Sequence, residues 1–416
     1  MIETIARHIE PLVVEALADT RVVGVVGPRQ AGKSTLVQRI VADRANASYV
    51  SMDDQRVRTA AEADPTGFVT DQPGLLAIDE VQRVPELLLA IKAQVDRDPR
   101  PGQFLITGST ALSAARGVSE TLAGRIERFE LWPFSQGELA GRRETFIDRL
   151  LSGQIDRQYR SDLTKADYLE LAGAGGFPEA IRRRGHRRSA WFESYVETVV
   201  EREAPGVAAS PRTAELPRLL RLVAARHACV LNIADLARDA GLPERSVHRY
   251  LETLEAVFLV RRVPAWAANL NQREIRSPKI FLTDPGLAVH LRGADLEVLN
   301  RPELALGVDG AIMEGFVHAE LVRQSGWSGR RPALMHYRDR RGAEVDFVLE
   351  DRQRRLVAIE VKAGTDVGPR DVRQLVALRD RLGDRFAAGV VLHSGPDVLP
   401  LGDRLAAVPI SALWQT

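Results

Sequence analysis

The sequence predicts an α/β chain of several domains, and three patterns predict it. Val22–Val26 is a short apolar run followed at once by GPRQAGKST and a helical stretch through Leu36 and Ile40, the order strand, phosphate loop, helix. Residues 75–78 form a second apolar run that ends in Asp79 and Glu80. Nearer the C-terminus, GAEVDFVLE and LVAIEVKA flank the charged turn DRQRR and alternate apolar with charged residues, so two strands pair as a hairpin with acids on one face. At 416 residues the chain exceeds one ordinary core, and about 100 to 200 residues per domain gives at least three domains.

Each element then carries its own chemistry. In the loop Gly27, Pro28, Arg29, Gln30, Ala31, Gly32, Lys33, Ser34, Thr35, the glycines let backbone N–H groups close around phosphate, and the helix start adds partial positive charge. Lys33 reaches the β and γ phosphates of ATP, and Ser34 ligates Mg²⁺. At the end of the second strand Asp79 holds the Mg²⁺ shell and Glu80 polarises the attacking water, against the alternative that Asp79 merely caps a helix before Val81 and Gln82. A third run, residues 104–106, closes with Thr107, Gly108 and Ser109; Ser109 is the expected γ-phosphate sensor, although either hydroxyl also suits loop backbone.

Lysine usage sharpens these expectations. Only five of the 57 basic residues are lysine, and two of them stand at Lys33 and Lys362, where chemistry needs an ammonium. Composition is that of a folded protein, 45% hydrophobic and 27% charged, and a net charge of +1 places any nucleic-acid contact on local patches such as RRRGHRR at 182–188. The start MIETIARHIE lacks the apolar core of a signal peptide and no segment reads as a membrane span, so the expected location is cytoplasmic. A single cysteine, Cys229, excludes an internal disulfide and a cysteine zinc site, and is expected as a small core residue.

With LAGRIERFELWPFS at 122–135, the first part resembles the AAA-type ATPases, and residues 1–140 are read as their core. The resemblance implies that Arg125 is an arginine finger serving a neighbouring subunit, as in the bacterial Holliday-junction branch-migration motor, and hence a homo-oligomer, a hexameric ring being one form. Residues 141–208, with GAGGFPEAI, resemble the helical lid that follows such a core; Phe177, Pro178 and Glu179 stand where many relatives carry a sensor arginine, so none is assigned. Residues 209–275 read as a winged helix. Ile233, Leu236 and Ala237 share a face, Gly241 turns, and Val247, Tyr250, Leu251 and Leu254 bury a second helix that exposes Arg245, Ser246, His248 and Arg249 toward DNA. Glu244, Glu252 and Glu255 dilute that face, and a protein-binding wing is the alternative.

Residues 276–300 are a connector, and 301–416 the last domain. Its hairpin would bring Asp346 beside Glu360 and Lys362, with Glu314 on a preceding helix. This has the form of the PD-(D/E)XK nuclease core, a restriction-endonuclease-like α/β fold. That form implies Mg²⁺ held by Asp346, Glu360 and Glu314, a water oriented by Lys362, and a strand-binding rim at Arg338, Arg340 and Arg341. The competing view is a solvated hairpin with a surface ion pair. In this order the whole chain resembles a bacterial and archaeal family of ATPases with a winged helix and a C-terminal nuclease-like domain. The expectation is an ATP-driven motor on duplex or branched DNA with a Mg²⁺-dependent nuclease module and no membrane partner. The alternative is a nucleotide-controlled, toxin-associated switch that binds DNA or protein without cutting.

Overall fold

The computed structural model describes residues 5–70, 72–109, 122–203, 215–267, 276–294, 299, 307–339 and 342–415. The chain divides into two compact units, one of residues 1–134 with 256–258 and the other of 135–255 with 259–416. No helix among the described residues is long and apolar enough to cross a membrane.

The first unit is built on five parallel strands: β1 (Val22–Val26), β2 (Ala47–Ser51), β3 (Leu75–Asp79), β4 (Phe104–Gly108) and β5 (Ile126–Glu130), in the order β2-β3-β4-β1-β5. β1, β3 and β4 are buried at every position, which is why they read as unbroken apolar runs rather than alternating ones. Val13 and Leu17 of helix Glu10–Asp19 and Leu36, Val37 and Ile40 of helix Lys33–Ala42 pack with Val23, Val25, Ala77 and Leu105 in one core. Because the strands are parallel, their C-terminal ends share one edge of the sheet. That edge gathers the phosphate loop after β1, the acidic pair after β3 and Ser109 after β4, as crevice sites on parallel sheets require.

The second unit holds two sheets. β6 (Cys229–Val230), β7 (Val260–Val263) and β8 (Lys279–Leu282) form a small antiparallel sheet with β8 in the middle, accompanied by helices Glu215–Ala225, Ile233–Ala240 and Glu244–Ala256. Gly241 turns between the last two at φ 67°. Val247, Tyr250, Leu251 and Leu254 are buried, as the periodicity requires. Cys229 is exposed at the start of β6, not in the core: its strand is a two-residue edge that leaves the thiol outside. The larger sheet runs β13-β14-β12-β11-β10-β9, with β9 (Ala333–Arg338), β10 (Glu344–Glu350), β11 (Leu356–Lys362), β12 (Phe386–His393), β13 (Leu399–Gly402) and β14 (Leu405–Pro409). Alternation in β10 lasts only to Phe347; beyond it Val348, Leu349 and Glu350 are all buried.

Candidate nucleotide site and carboxylate cluster

Helix Lys33–Ala42 begins at Gly32, whose φ of 98° is a conformation glycine adopts freely, and no side chain caps it. Its first N–H groups are therefore unmatched by any capping side chain and face the loop, the arrangement that binds phosphate. Gly27 is required for another reason: a Cβ there would lie 2.1 Å from the Leu131 carbonyl oxygen. Lys33 is 4% exposed, and its ammonium donates to the carbonyls of Gly27 at 3.0 Å and Pro28 at 2.9 Å. Arg7, which sequence reasoning missed, donates to the Ala31 carbonyl at 2.9 Å and to the Trp132 carbonyl, so the N-terminal segment braces the loop from outside.

Asp79 and Glu80 are held by separate sets of groups. The Asp79 carboxylate accepts from Ser34 Oγ at 2.8 Å, Tyr49 OH at 3.0 Å and Thr107 Oγ1 at 2.6 Å. Burial and the adjacent Asp79 charge push the Tyr49 hydroxyl up to about 12, so it stays a donor. Glu80 adopts a left-handed backbone, φ 56° and ψ 46°, which turns its carboxylate away from that of Asp79. Thr107 holds this turn by accepting from the Glu80 N–H at 3.0 Å. Glu80 Oε2 then accepts from Ser109 Oγ at 3.0 Å and from the Gln82 amide, which also donates to Ser109 Oγ at 3.1 Å. The strand end thus serves both hydroxyls: Thr107 attends Asp79, and Ser109 attends Glu80. Hard oxygen donors at Ser34 and Asp79, already 2.8 Å apart, suit Mg²⁺.

In the second unit the hairpin forms in the expected register, with Phe347 opposite Ile359 and Val348 opposite Ala358. Asp346 Oδ2 accepts from the Val361 N–H at 2.9 Å, and Lys362 donates to Glu360 at 2.9 Å. Glu314 projects from helix Val308–Trp327 toward the same place. What fills the centre is an ammonium. Lys279 Nζ lies 2.9 Å from Glu314, 2.8 Å from Glu344 and 2.9 Å from Asp346, with its side chain 2% exposed. Burial alone would lower the Lys279 pKa, but Asp346, Glu314 and Glu344 outweigh it and raise it. One ammonium cannot balance three carboxylates, two of them largely buried, and the surplus appears as raised pKa values at Glu314 and Glu360, caused first by burial and next by Asp346.

This revises the metal-ligand expectation for Glu314, Asp346 and Glu360. Their donor set contains a cation of the chain's own, and among the described residues no group of three or more His, Cys, Asp or Glu side chains is arranged around a metal position. The residues present do not fit a divalent ion.

A groove of 640 Å³ opens beside β8, lined by Asn232, Ile233, His248, Arg262, Arg276, Ser277 and Arg338 among others. Arg276 donates to the Arg338 carbonyl at 2.8 Å, and Arg262 Nε pairs with Glu255 at 2.8 Å. Arg245, His248 and Arg249 are exposed on helix Glu244–Ala256 and Ser246 is half-buried. Arg340 and Arg341 lie outside the described residues.

Residues 19–140 match a family described as AAA domain, 165–297 a domain of unknown function (DUF8612), and 309–413 a domain of unknown function (DUF4143). Two proteins called uncharacterized, Rv2008c of Mycobacterium tuberculosis and Mb2031c of Mycobacterium bovis, are each 32% identical over 405 residues, 96% of this chain and 82% of theirs. The chain belongs to their family. Its N-terminal part carries an AAA domain and its C-terminal part a DUF4143 domain. Among solved structures, the Thermotoga maritima RuvB Holliday junction branch migration motor is 18% identical, covering 62% of this chain and 89% of its own, at a TM-score of 0.29. AMPPCP-bound DnaA from Aquifex aeolicus is 14% identical over 60% and 86%, also at 0.29. Likenesses this distant carry no functional weight.

In this family member Arg125 is engaged within its own chain. Its guanidinium pairs with Asp96, Nη2 to Oδ2 at 3.0 Å, with both side chains partly exposed. Arg29 and Gln30 complete the loop, Gln30 in the left-handed region at φ 60°.

Proposed function

We propose that the chain is a cytoplasmic, ATP-hydrolysing motor that engages duplex or branched DNA as a homo-oligomer. The separate holding of Asp79 and Glu80 at the end of β3 carries the ATPase half of this reading. Lys33 and the uncapped helix start bind the β and γ phosphates, and Ser34 and Asp79 would hold Mg²⁺, which neutralises charge on those phosphates when bound. Glu80 orients the attacking water and accepts its proton at Oε. Ser109 and Gln82 position Glu80, while Thr107 and Tyr49 position Asp79.

Arg125 acts in trans in this reading, leaving Asp96 for the γ-phosphate of a neighbouring subunit. Arg125→Ala then lowers turnover by about 10³-fold or more while ATP still binds, and Asp96→Ala, which breaks the pair but keeps the arginine, retains turnover. A coupled ATPase assay beside fluorescent-nucleotide titration reads both, and unchanged turnover in Arg125→Ala removes the role.

The DNA half rests on the cationic groove. Helices Ile233–Ala240 and Glu244–Ala256 with β6, β7 and β8 are read as a winged helix whose exposed Arg245, His248 and Arg249 and half-buried Ser246 approach DNA beside Arg276 and Arg338. DNA should accelerate ATP hydrolysis several-fold. For Arg276→Ala/Arg338→Ala, affinity falls for linear, forked and four-way-junction DNA alike, and the slope of log affinity against log salt drops by about two. An unaltered slope would dismiss the groove as a phosphate track.

A second reading, a nucleotide-controlled switch, is favoured by one observation: Glu80 is tied to both Gln82 and Ser109. A base so held hydrolyses slowly until a partner frees it. Under that reading DNA leaves the ATPase rate unchanged.

A further inference from the structure

The last domain has the carboxylates of a metal-dependent nuclease and, at their centre, a lysine. We propose that Lys279 is the resident cation of this cluster: its ammonium takes the place where a divalent ion would stand, so the cluster takes up no divalent ion and cuts no phosphodiester while Lys279 is there.

Geometry argues for this first. An ammonium has three N–H donors, and Glu314, Glu344 and Asp346 take one each at 2.8 to 2.9 Å, leaving the nitrogen saturated. Oxygens spaced to meet an N–H donor stand well back from the roughly 2.0 to 2.1 Å that Mg²⁺ demands. Second, the backbone that carries the lysine is fixed on both sides. It opens β8, the middle strand of its sheet, and pairs in register with Val230 on one side and Val263 on the other. Third, the cluster is closed on all but one side: the Lys279 side chain is 2% exposed, Asp346 14% and Glu314 15%, and only Glu344, at 34%, reaches water. Lys362, the expected water-orienting group, is spent on Glu360 and lies 3.6 Å from Asp371.

Charge then says what happens without Lys279. Three carboxylates would converge with no counter-ion, and a divalent ion, with twice the charge of an ammonium, would satisfy them better than the lysine does. The cluster is therefore a divalent-cation site closed by one side chain. The idea stands apart from the motor reading, because its metal titration needs neither ATP nor DNA.

The full-length, nucleotide-free protein is titrated with MnCl₂, free Mn²⁺ being followed by its electron paramagnetic resonance signal and stability by thermal melting. Wild type and Asp346→Asn should take up Mn²⁺ identically, since the intact cluster takes none. Lys279→Met should melt at a lower temperature, regain several degrees on adding Mn²⁺, and bind one more Mn²⁺ per chain than wild type. Both gains should vanish in Lys279→Met/Asp346→Asn. Loss of Mn²⁺ uptake in Asp346→Asn relative to wild type would overturn the proposal, since the metal would then displace the lysine. So would a folded Lys279→Met that gains no Mn²⁺ site. Should Lys279→Met fail to fold even with Mn²⁺, the comparison of wild type with Asp346→Asn decides alone. Plasmid nicking supplies a separate readout: it is expected only from Lys279→Met with Mn²⁺, and nicking by wild type that Asp346→Asn abolishes contradicts the proposal.

Discussion

Glu80→Gln lowers ATP turnover by about 10² to 10⁴, the range a positioned general base supplies, and leaves ATP binding intact. Gln is isosteric and keeps an oxygen for Ser109 and a backbone for Thr107, so the left-handed turn at φ 56° survives. Only the proton acceptor is lost. Lys33→Ala gives the contrasting result, because it removes the ammonium that lies against the Gly27 and Pro28 carbonyls where phosphate enters. Binding and turnover fall together there, with the melting temperature little changed. Nucleotide titration beside single-turnover hydrolysis separates the two signatures. Equal losses of binding in both variants would show that Glu80 serves the ground state and is not the base.

Arg323→Met destabilises the second unit by about 3 to 5 kcal/mol, the cost of leaving a buried charge without its partner. Arg323 is 2% exposed and bridges Glu320 at 2.6 Å and Asp284 at 3.3 Å, both fully buried. Asp284 in turn accepts from the N–H groups of Gly176 and Gly286, so the arginine supports two chain segments through one carboxylate. Urea denaturation measures the loss, and a midpoint within experimental error of wild type refutes it. The same network sets a pH dependence. Burial, opposed by Arg323, pushes Glu320 up to about 7 from 4.5. Between those values the folded chain keeps a proton that the unfolded chain has released, so this group lowers stability as pH rises through the window. Glu320→Gln removes that slope.

The legible parts of this molecule are those whose signal is local. GPRQAGKST and the Asp79–Glu80 pair could be read because a loop and a strand end are continuous in sequence, and parallel pairing alone brings them to one edge. The hairpin register followed from alternation across a short turn, and it placed Asp346 against β11 correctly. Choosing Ser109 over Thr107 missed that the two hydroxyls divide the acidic pair between them, a matter of which way the side chains at and just beyond the end of β4 point. Lys279 escaped for a different reason: its partners lie 35 and 67 residues away, on another helix and another sheet, and no periodicity spans such distances. One signal was present. A chain that prefers arginine keeps lysine at only five positions, and the fourth of them, heading the apolar stretch KIFL, asks for a buried acid.

That scarcity makes the molecule its own spectroscopic probe. With nitrogen-15 in lysine side chains alone, it would give five ammonium signals, of which Lys33 reports on the phosphate loop, Lys165 on its pair with Asp309 at 2.6 Å, Lys279 on the cluster and Lys362 on the hairpin. Protons on exposed ammonium groups exchange with water too quickly to be seen near neutral pH. Lys279, walled in by three carboxylates, keeps its protons long enough to resonate, and its line marks the closed cluster.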